Sequence, residues 1–130
     1  MKFVLSHQKG KDGKRNVERR ECTRIIKYKG LHFAVCPNRV YGGRPYSYDI
    51  FEVSTGLPLG NPLFRLKDAY PYIRDNFYFI TKELKKPFCL DMMKEICEYV
   101  AENGEVDLMV DMQTVFNCLR EMGIIDTLLI

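Results

Sequence analysis

Two observations predict an α+β fold for this 130-residue chain. Residues 22–53 hold three β-branched and aromatic runs separated by turn signals, and from Leu66 the apolar period changes from two to about 3.6. The expected architecture is a three-stranded antiparallel sheet packed on a helix, followed by two further C-terminal helices. A single domain of residues 1–130 then divides into a basic arm (1–21), a β-β-β-α core (22–79) and a helical extension (80–130).

The first run, Arg24-Ile25-Ile26-Lys27-Tyr28, is joined by Lys29-Gly30 to Leu31-His32-Phe33-Ala34-Val35-Cys36, which makes a hairpin the economical reading. Alternation puts Leu31, Phe33 and Val35 on one face and His32, Ala34 and Cys36 on the other, the pattern of a strand with one face on a core. Pro37-Asn38 is expected to stop this strand, and Gly42-Gly43 with Pro45 marks a loop before the third run, residues 46–53. Thr55-Gly56-Leu57-Pro58 and Gly60-Asn61-Pro62 are turn chemistry, since Gly supplies positive φ and Pro lacks a donor, so the sheet is expected to end there.

Leu66, Ala69, Tyr70, Ile73 and Phe77 then form a helical stripe for the sheet's apolar face. With Asp68 as N-cap, Pro71 falls at the third helical position, where its missing N–H has no intrahelical partner in any case. Lys85-Lys86-Pro87 breaks this helix. Met93, Ile96, Cys97 and Val100 stripe a second helix that ends at Asn103-Gly104. Residues 107–122 give a third, with Leu108, Met112, Val115, Phe116, Leu119 and Met122 on one side and Gly123 as its stop. The apolar end, Leu128-Leu129-Ile130, either docks on the body or forms a homo-oligomer interface.

Composition is ordinarily globular, with 46% hydrophobic and 28% charged residues. No apolar run is long enough to span a bilayer, and the opening Phe3-Val4-Leu5 is too short for a signal peptide, so a cytoplasmic location and no membrane partner are expected. The five cysteines, Cys22, Cys36, Cys89, Cys97 and Cys118, lack a Cys-x-x-Cys pair and read as reduced, structural thiols. A zinc site would have to gather Cys22, His32 and Cys36 at spacings that match no standard finger, and no metal or cofactor is expected.

Charge is distributed unevenly. Residues 2–29 carry ten Lys or Arg against three acids, while the remainder carries ten against fourteen, an asymmetry that the net charge of +3 conceals. Such a concentration permits binding to a polyanion or an acidic protein surface. Phe3-Val4-Leu5 can add a short strand, and residues 6–21, with Gly10 and Gly13 among many charges, read as a mobile loop or arm. Its candidate contacts are Lys9, Lys11, Lys14, Arg15, Arg19 and Arg20. The loop at residues 38–46 interleaves Arg39 and Arg44 with Tyr41, Tyr46 and then Tyr48, residue types that recur at binding surfaces. Each element also has a plain structural use, as a solvated arm or as a hairpin loop folded on the sheet. Glu95, Glu98, Glu102, Glu105, Asp107 and Asp111 form an acidic patch that either binds a basic partner or balances the arm.

Catalytic patterns are missing from the sequence. His7 and His32 have no neighbouring nucleophile motif, and no phosphate loop, dinucleotide glycine pattern or His-Glu-x-x-His is present. The residues Tyr48-Asp49-Ile50-Phe51-Glu52-Val53, Thr55-Gly56-Leu57 and Leu66-Lys67-Asp68-Ala69 resemble a pattern in small β-β-β-α proteins of bacterial phages and mobile elements, including the DNA-binding domains of phage-type integrases. The resemblance implies an inhibitor or regulator of host nucleic-acid machinery, such as a defence nuclease. Residues and resemblance together predict a non-enzymatic binding protein, with a direct DNA- or RNA-binding protein and a structural homo-oligomer as alternatives.

Overall fold

Lys29 and Gly30 both take positive φ, 47° and 90°, and close a two-residue connection in which Tyr28 pairs with Leu31. Two consecutive left-handed residues make the type I′ turn, whose twist matches that of paired strands. The computed structural model describes residues 2–40 and 42–126, except for the side chain of Lys9. Two strands, β1 (Phe3–Lys9) and β2 (Arg15–Glu21), form an antiparallel hairpin. Four more, β3 (Arg24–Tyr28), β4 (Leu31–Asn38), β5 (Ser47–Glu52) and β6 (Leu57–Leu63), form an antiparallel meander in that order. A 3-10 turn (Leu66–Asp68) leads into α1 (Ala69–Leu84), and α2 (Pro87–Asn103) and α3 (Met112–Glu121) follow.

The expected three-stranded sheet is therefore corrected to six strands in two antiparallel sheets. One added strand, β6, lies where turn chemistry was expected to end the sheet. It is the outer strand of the meander, and Pro58 and Pro62 are tolerated there because an edge N–H can lack a ladder partner. A register shift between Tyr48 and Ile50 absorbs the irregularity. Nor does Pro37 stop β4: it pairs with Tyr48, and Asn38 beyond it accepts from the Tyr46 N–H at 2.9 Å and donates its side-chain amide to Ser47 Oγ at 3.0 Å.

The basic arm is also ordered backbone. Residues 3–9 pair with 15–21 in full register, and the intervening turn is closed by Gly10 N–H on the Lys14 carbonyl and Lys14 N–H on Asp12. Val4, Leu5, Ser6 and His7 are all buried. The charged half of the hairpin concealed its apolar half, because β2 exposes Asn16, Glu18 and Arg19 while β1 supplies the packing.

Each face of β4 has a cover, so residues 31–37 are buried on both sides of the pleat. On the Leu31, Phe33 and Val35 face lies α1, whose Tyr70 and Phe77 meet Tyr28 edge-on at 5.6 and 5.1 Å between centroids. Arg20 from the hairpin reaches the other face over Phe51, the cross-strand partner of Ala34. One apolar cluster joins Val4 and Leu5 of the hairpin with Phe33 and Ile50 of the meander, Ile73 of α1, Ile96 of α2 and Phe116 of α3.

The helices begin and end largely where local chemistry demands. Asp68 is the N-cap position of α1 and Pro71 its third residue, but the Asp68 carboxylate bonds Arg65 instead of a helix amide, because the preceding 3-10 turn already occupies that end. Pro87 ends the linker and is the first residue of α2, where its fixed φ suits a helix start. The third helix starts later than expected, at Met112, capped by Asp111 on the Gln113 N–H at 3.0 Å. Asp107 has φ 63°, and the chain beside it runs along β1: Phe3 N–H donates to Asp107 O and Met109 N–H to Phe3 O. Leu108 thus bridges to Phe3 instead of riding α3. Among the described residues no helix is long and apolar enough to cross a membrane.

Amides of β1 and β2 are expected to exchange hydrogen slowly, as a docked hairpin requires and a free arm forbids. Leu5→Ala should cost about 2–5 kcal/mol in urea unfolding. Fast exchange throughout residues 3–21 would contradict the docking.

Candidate interaction surface

Two polar knots, one buried and one partly exposed, hold the hairpin against the meander and α2. In the first, the tight turn after β5 folds round the Glu52 carboxylate, which is fully buried. It accepts from Ser54 N–H at 2.9 Å, Thr55 N–H at 2.9 Å, Ser54 Oγ at 2.7 and 2.8 Å, and Thr55 Oγ1 at 2.7 Å. Burial pushes this carboxyl up, and the Ser54 and Thr55 donors oppose that shift. The same turn receives β1: His7 N–H donates to Gly56 O at 2.8 Å, and the His7 ring donates from Nδ1 to Thr55 O. A Cβ on Gly56 would meet His7 N and Ser6 Cα at 3.0 Å, so only glycine permits this approach, and its φ of 68° favours glycine as well.

The second knot is on α2. His7 Nε2 lies 2.7 Å from Glu95 Oε2, and Arg15 Nη2 donates to Glu95 Oε1 at 3.0 Å. Burial pushes Glu95 up, but the hydrogen bonds and charges of Arg15 and His7 outweigh it and hold the carboxyl below its ordinary range. The acidic side of α2, with Glu95, Glu98 and Glu102 lining a hollow beside Arg15, Asn16 and Val17, faces β2. Of the acidic residues singled out in the sequence, Glu95 is the one that pairs with the hairpin among the described residues.

Several of the hairpin's and loop's cations are engaged by groups of the fold. Besides Arg15, Arg19 donates to Val106 O and lies 4.6 Å over Phe3. Arg20 bonds Asn38 and Asp49, the latter at 3.1 Å. Arg39 bonds Glu21 at 3.1 Å and Gly43 O. Lys11, Lys14 and Arg44 are exposed, and no ion pair engages them among the described residues. Tyr46 is exposed and Tyr48 half-buried. Tyr41, the Lys9 side chain and Leu128-Leu129-Ile130 lie outside the described residues.

Sequence reasoning passed over the outward side of α1. Arg74, Tyr78 and Lys82 recur every four residues on the side away from the buried stripe Ala69, Ile73, Ile80 and Leu84, while Tyr70, half exposed, flanks that stripe against Tyr28. Phe79 borders them, and Lys82 Nζ sits 5.1 Å over the Tyr78 ring. The signal was there in Phe77-Tyr78-Phe79: at about 100° per residue no single stripe buries three consecutive aromatics. Arg15, at the foot of the hairpin tip, lies 4.7 Å over Phe88, which brings the base of the tip beside the start of α2.

Beside this face, a cleft of about 280 Å³ opens between β6 and α1, lined chiefly by Leu57, Leu59, Tyr72, Phe79, Ile80 and Leu84, with Glu52 also at its wall. Elsewhere the Cys22 thiol donates to Arg24 O at 3.3 Å and to Val35 O at 3.7 Å, while His32 Nδ1 is buried with no partner among the described residues and burial lowers that ring. Among the described residues no three His, Cys, Asp or Glu side chains gather to hold a metal ion.

Removing the Glu52 acceptor orphans two N–H and two O–H groups, so Glu52→Ala should cost about 3 kcal/mol in chemical denaturation. Because the folded Glu95 carboxyl is depressed, its contribution is full above the unfolded carboxylate range and disappears as pH falls through the folded value. Acid unfolding monitored by circular dichroism should therefore shift to higher pH in Arg15→Ala, which at neutral pH costs less than about 1 kcal/mol because the pair is partly exposed. Coincident acid transitions for the two proteins would remove Glu95 from the account.

No protein-family model, curated protein or solved structure matches the chain.

Proposed function

We propose that this chain is a non-enzymatic binding protein that docks an acidic segment of a protein partner on the outward side of α1 and the adjoining start of α2. One observation carries the reading: Tyr78 and Phe79 are 75% and 63% exposed on a helix that buries its opposite stripe, and Lys82 and Lys85 flank them. Large rings gain area on binding at low entropic cost, and a neighbouring ammonium selects for negative charge. Residues 65–86 carry six Lys or Arg against three acids, and Lys82 and Lys85 have no ion-pair partner among the described residues. Lys11 and Lys14, on the hairpin tip, extend the positive field that steers an acidic partner in.

Phosphate binding draws on uncommitted cations along a continuous track. Here Arg15, Arg20 and Arg39 are tied to carboxylates, and Asp75 and Glu83 interrupt the α1 face. A protein partner suits this mixture of rings, bases and interspersed acids better than a strand of nucleic acid does. An inhibitor of host nucleic-acid machinery, the setting implied by the resemblance to phage proteins, would present such a surface to an acidic face of its target.

Selection of random peptides on the intact chain should enrich acidic sequences, and the double change Lys82→Glu, Lys85→Glu should weaken them about tenfold. If no acidic peptide is enriched while a single-stranded oligonucleotide binds with steep salt dependence, the protein-partner reading is overturned in favour of nucleic acid.

A further inference from the structure

The cleft between β6 and α1 has a size and chemistry that restrict its occupant. At about 280 Å³ it exceeds the ~150 Å³ cavity that takes up a benzene. It falls just short of the roughly 300 Å³ at which pockets for whole small molecules begin. One large side chain is the natural fit. The walls contributed by Leu57, Leu59, Ile80 and Leu84 are aliphatic, and the charged and amide groups at the lining already have partners. Glu52 is bonded by Ser54 and Thr55, the Asn76 amide donates to Tyr72 O at 2.8 Å, and Glu83 holds Lys86 at 2.7 Å. An ionic head entering the cleft would lose hydration without gaining a free counter-charge, whereas an apolar group gains buried area.

The cleft is also continuous with the basic face. Phe79 and Glu83 line it and line the neighbouring shallow depression that contains Tyr78, Lys82, Lys85 and Lys86. A single extended segment can therefore lay acidic residues along the lysines and turn one side chain inward. Resting on the reading of α1 as the docking face, we infer that the cleft receives one apolar anchor, the size of Leu, Met or Phe, from the partner's acidic segment. The anchor supplies the desolvated centre of the contact and the lysines supply its charged rim, the division of labour found in interfaces where few residues carry most of the energy.

Two measurements test the anchor separately from the face. Benzene titrated into the intact chain at millimolar concentration should shift the methyl resonances of Leu59, Ile80 and Leu84 and leave those of Ile96 and Leu119, buried elsewhere, in place. Peptides enriched on the native chain should share one apolar position among acids, and should lose about tenfold or more in affinity on Leu59→Trp and again on Asn76→Phe, two independent ways of filling the space. Circular dichroism identifies a variant that has merely unfolded, and the other then decides. Methyl signals unmoved by benzene overturn the anchor outright. Peptides that bind both filled variants like the native chain, yet fail on Lys82→Glu, Lys85→Glu, overturn the anchor and leave the docking face standing. Peptides indifferent to the lysines overturn both.

Discussion

The buried carboxylate of Glu52 is the constraint on which the rest of the molecule depends. By accepting from the amides and hydroxyls of Ser54 and Thr55, it folds the chain back on itself immediately after β5 and so directs β6 along the meander's edge. The same turn exposes the Thr55 and Gly56 carbonyls to His7, and this places the hairpin. A buried carboxylate is costly unless its acceptors are filled, and here the filling donors are the backbone and side chains of its own turn. The energetic requirement of one side chain thereby becomes a geometric requirement on two sheets.

From that turn outward, the polar contacts specify position more than they add stability. Partly exposed pairs such as Arg15 with Glu95 contribute only about 1 kcal/mol or less each. They nevertheless fix the hairpin's orientation on α2, and the apolar contacts of Val4 and Leu5 then supply the burial. A consequence for function follows directly. Arg15, Arg20 and Arg39 are paired with partly exposed acids of the fold, whereas the lysines of α1, separated by helical spacing, share an exposed side with rings that the core has no room for.

Local chemistry was readable wherever a residue's neighbours in sequence are also its neighbours in space. Lys29-Gly30 announces a tight hairpin because both positions adopt positive φ, and Pro87 announces a helix boundary because its ring forbids continuation. The same local reasoning misjudged Pro58 and Pro62, since a proline that would break a central strand is harmless on an edge, and edge position is a property of the assembled sheet. It also misread residues 6–21 as an arm. Alternation there is masked by Arg and Glu on the exposed side, and nothing adjacent in sequence shows that His7 will meet Thr55 or that Arg15 will meet a carboxylate eighty positions away.

The sequence by itself determined the α+β class, the β3–β4 turn, the three helices and the aromatic excess of α1, because hydrophobic period, turn residues and capping act within a few residues of one another. Tertiary structure alone decided the edge strand β6, the pairing of β1 with β2, the docking of that hairpin and the availability of each cation. Whether an arginine is a ligand for a partner or a brace for the fold depends on which acid lies within about 4 Å once the chain has closed. Long-range packing sets that distance, and local spacing carries no record of it.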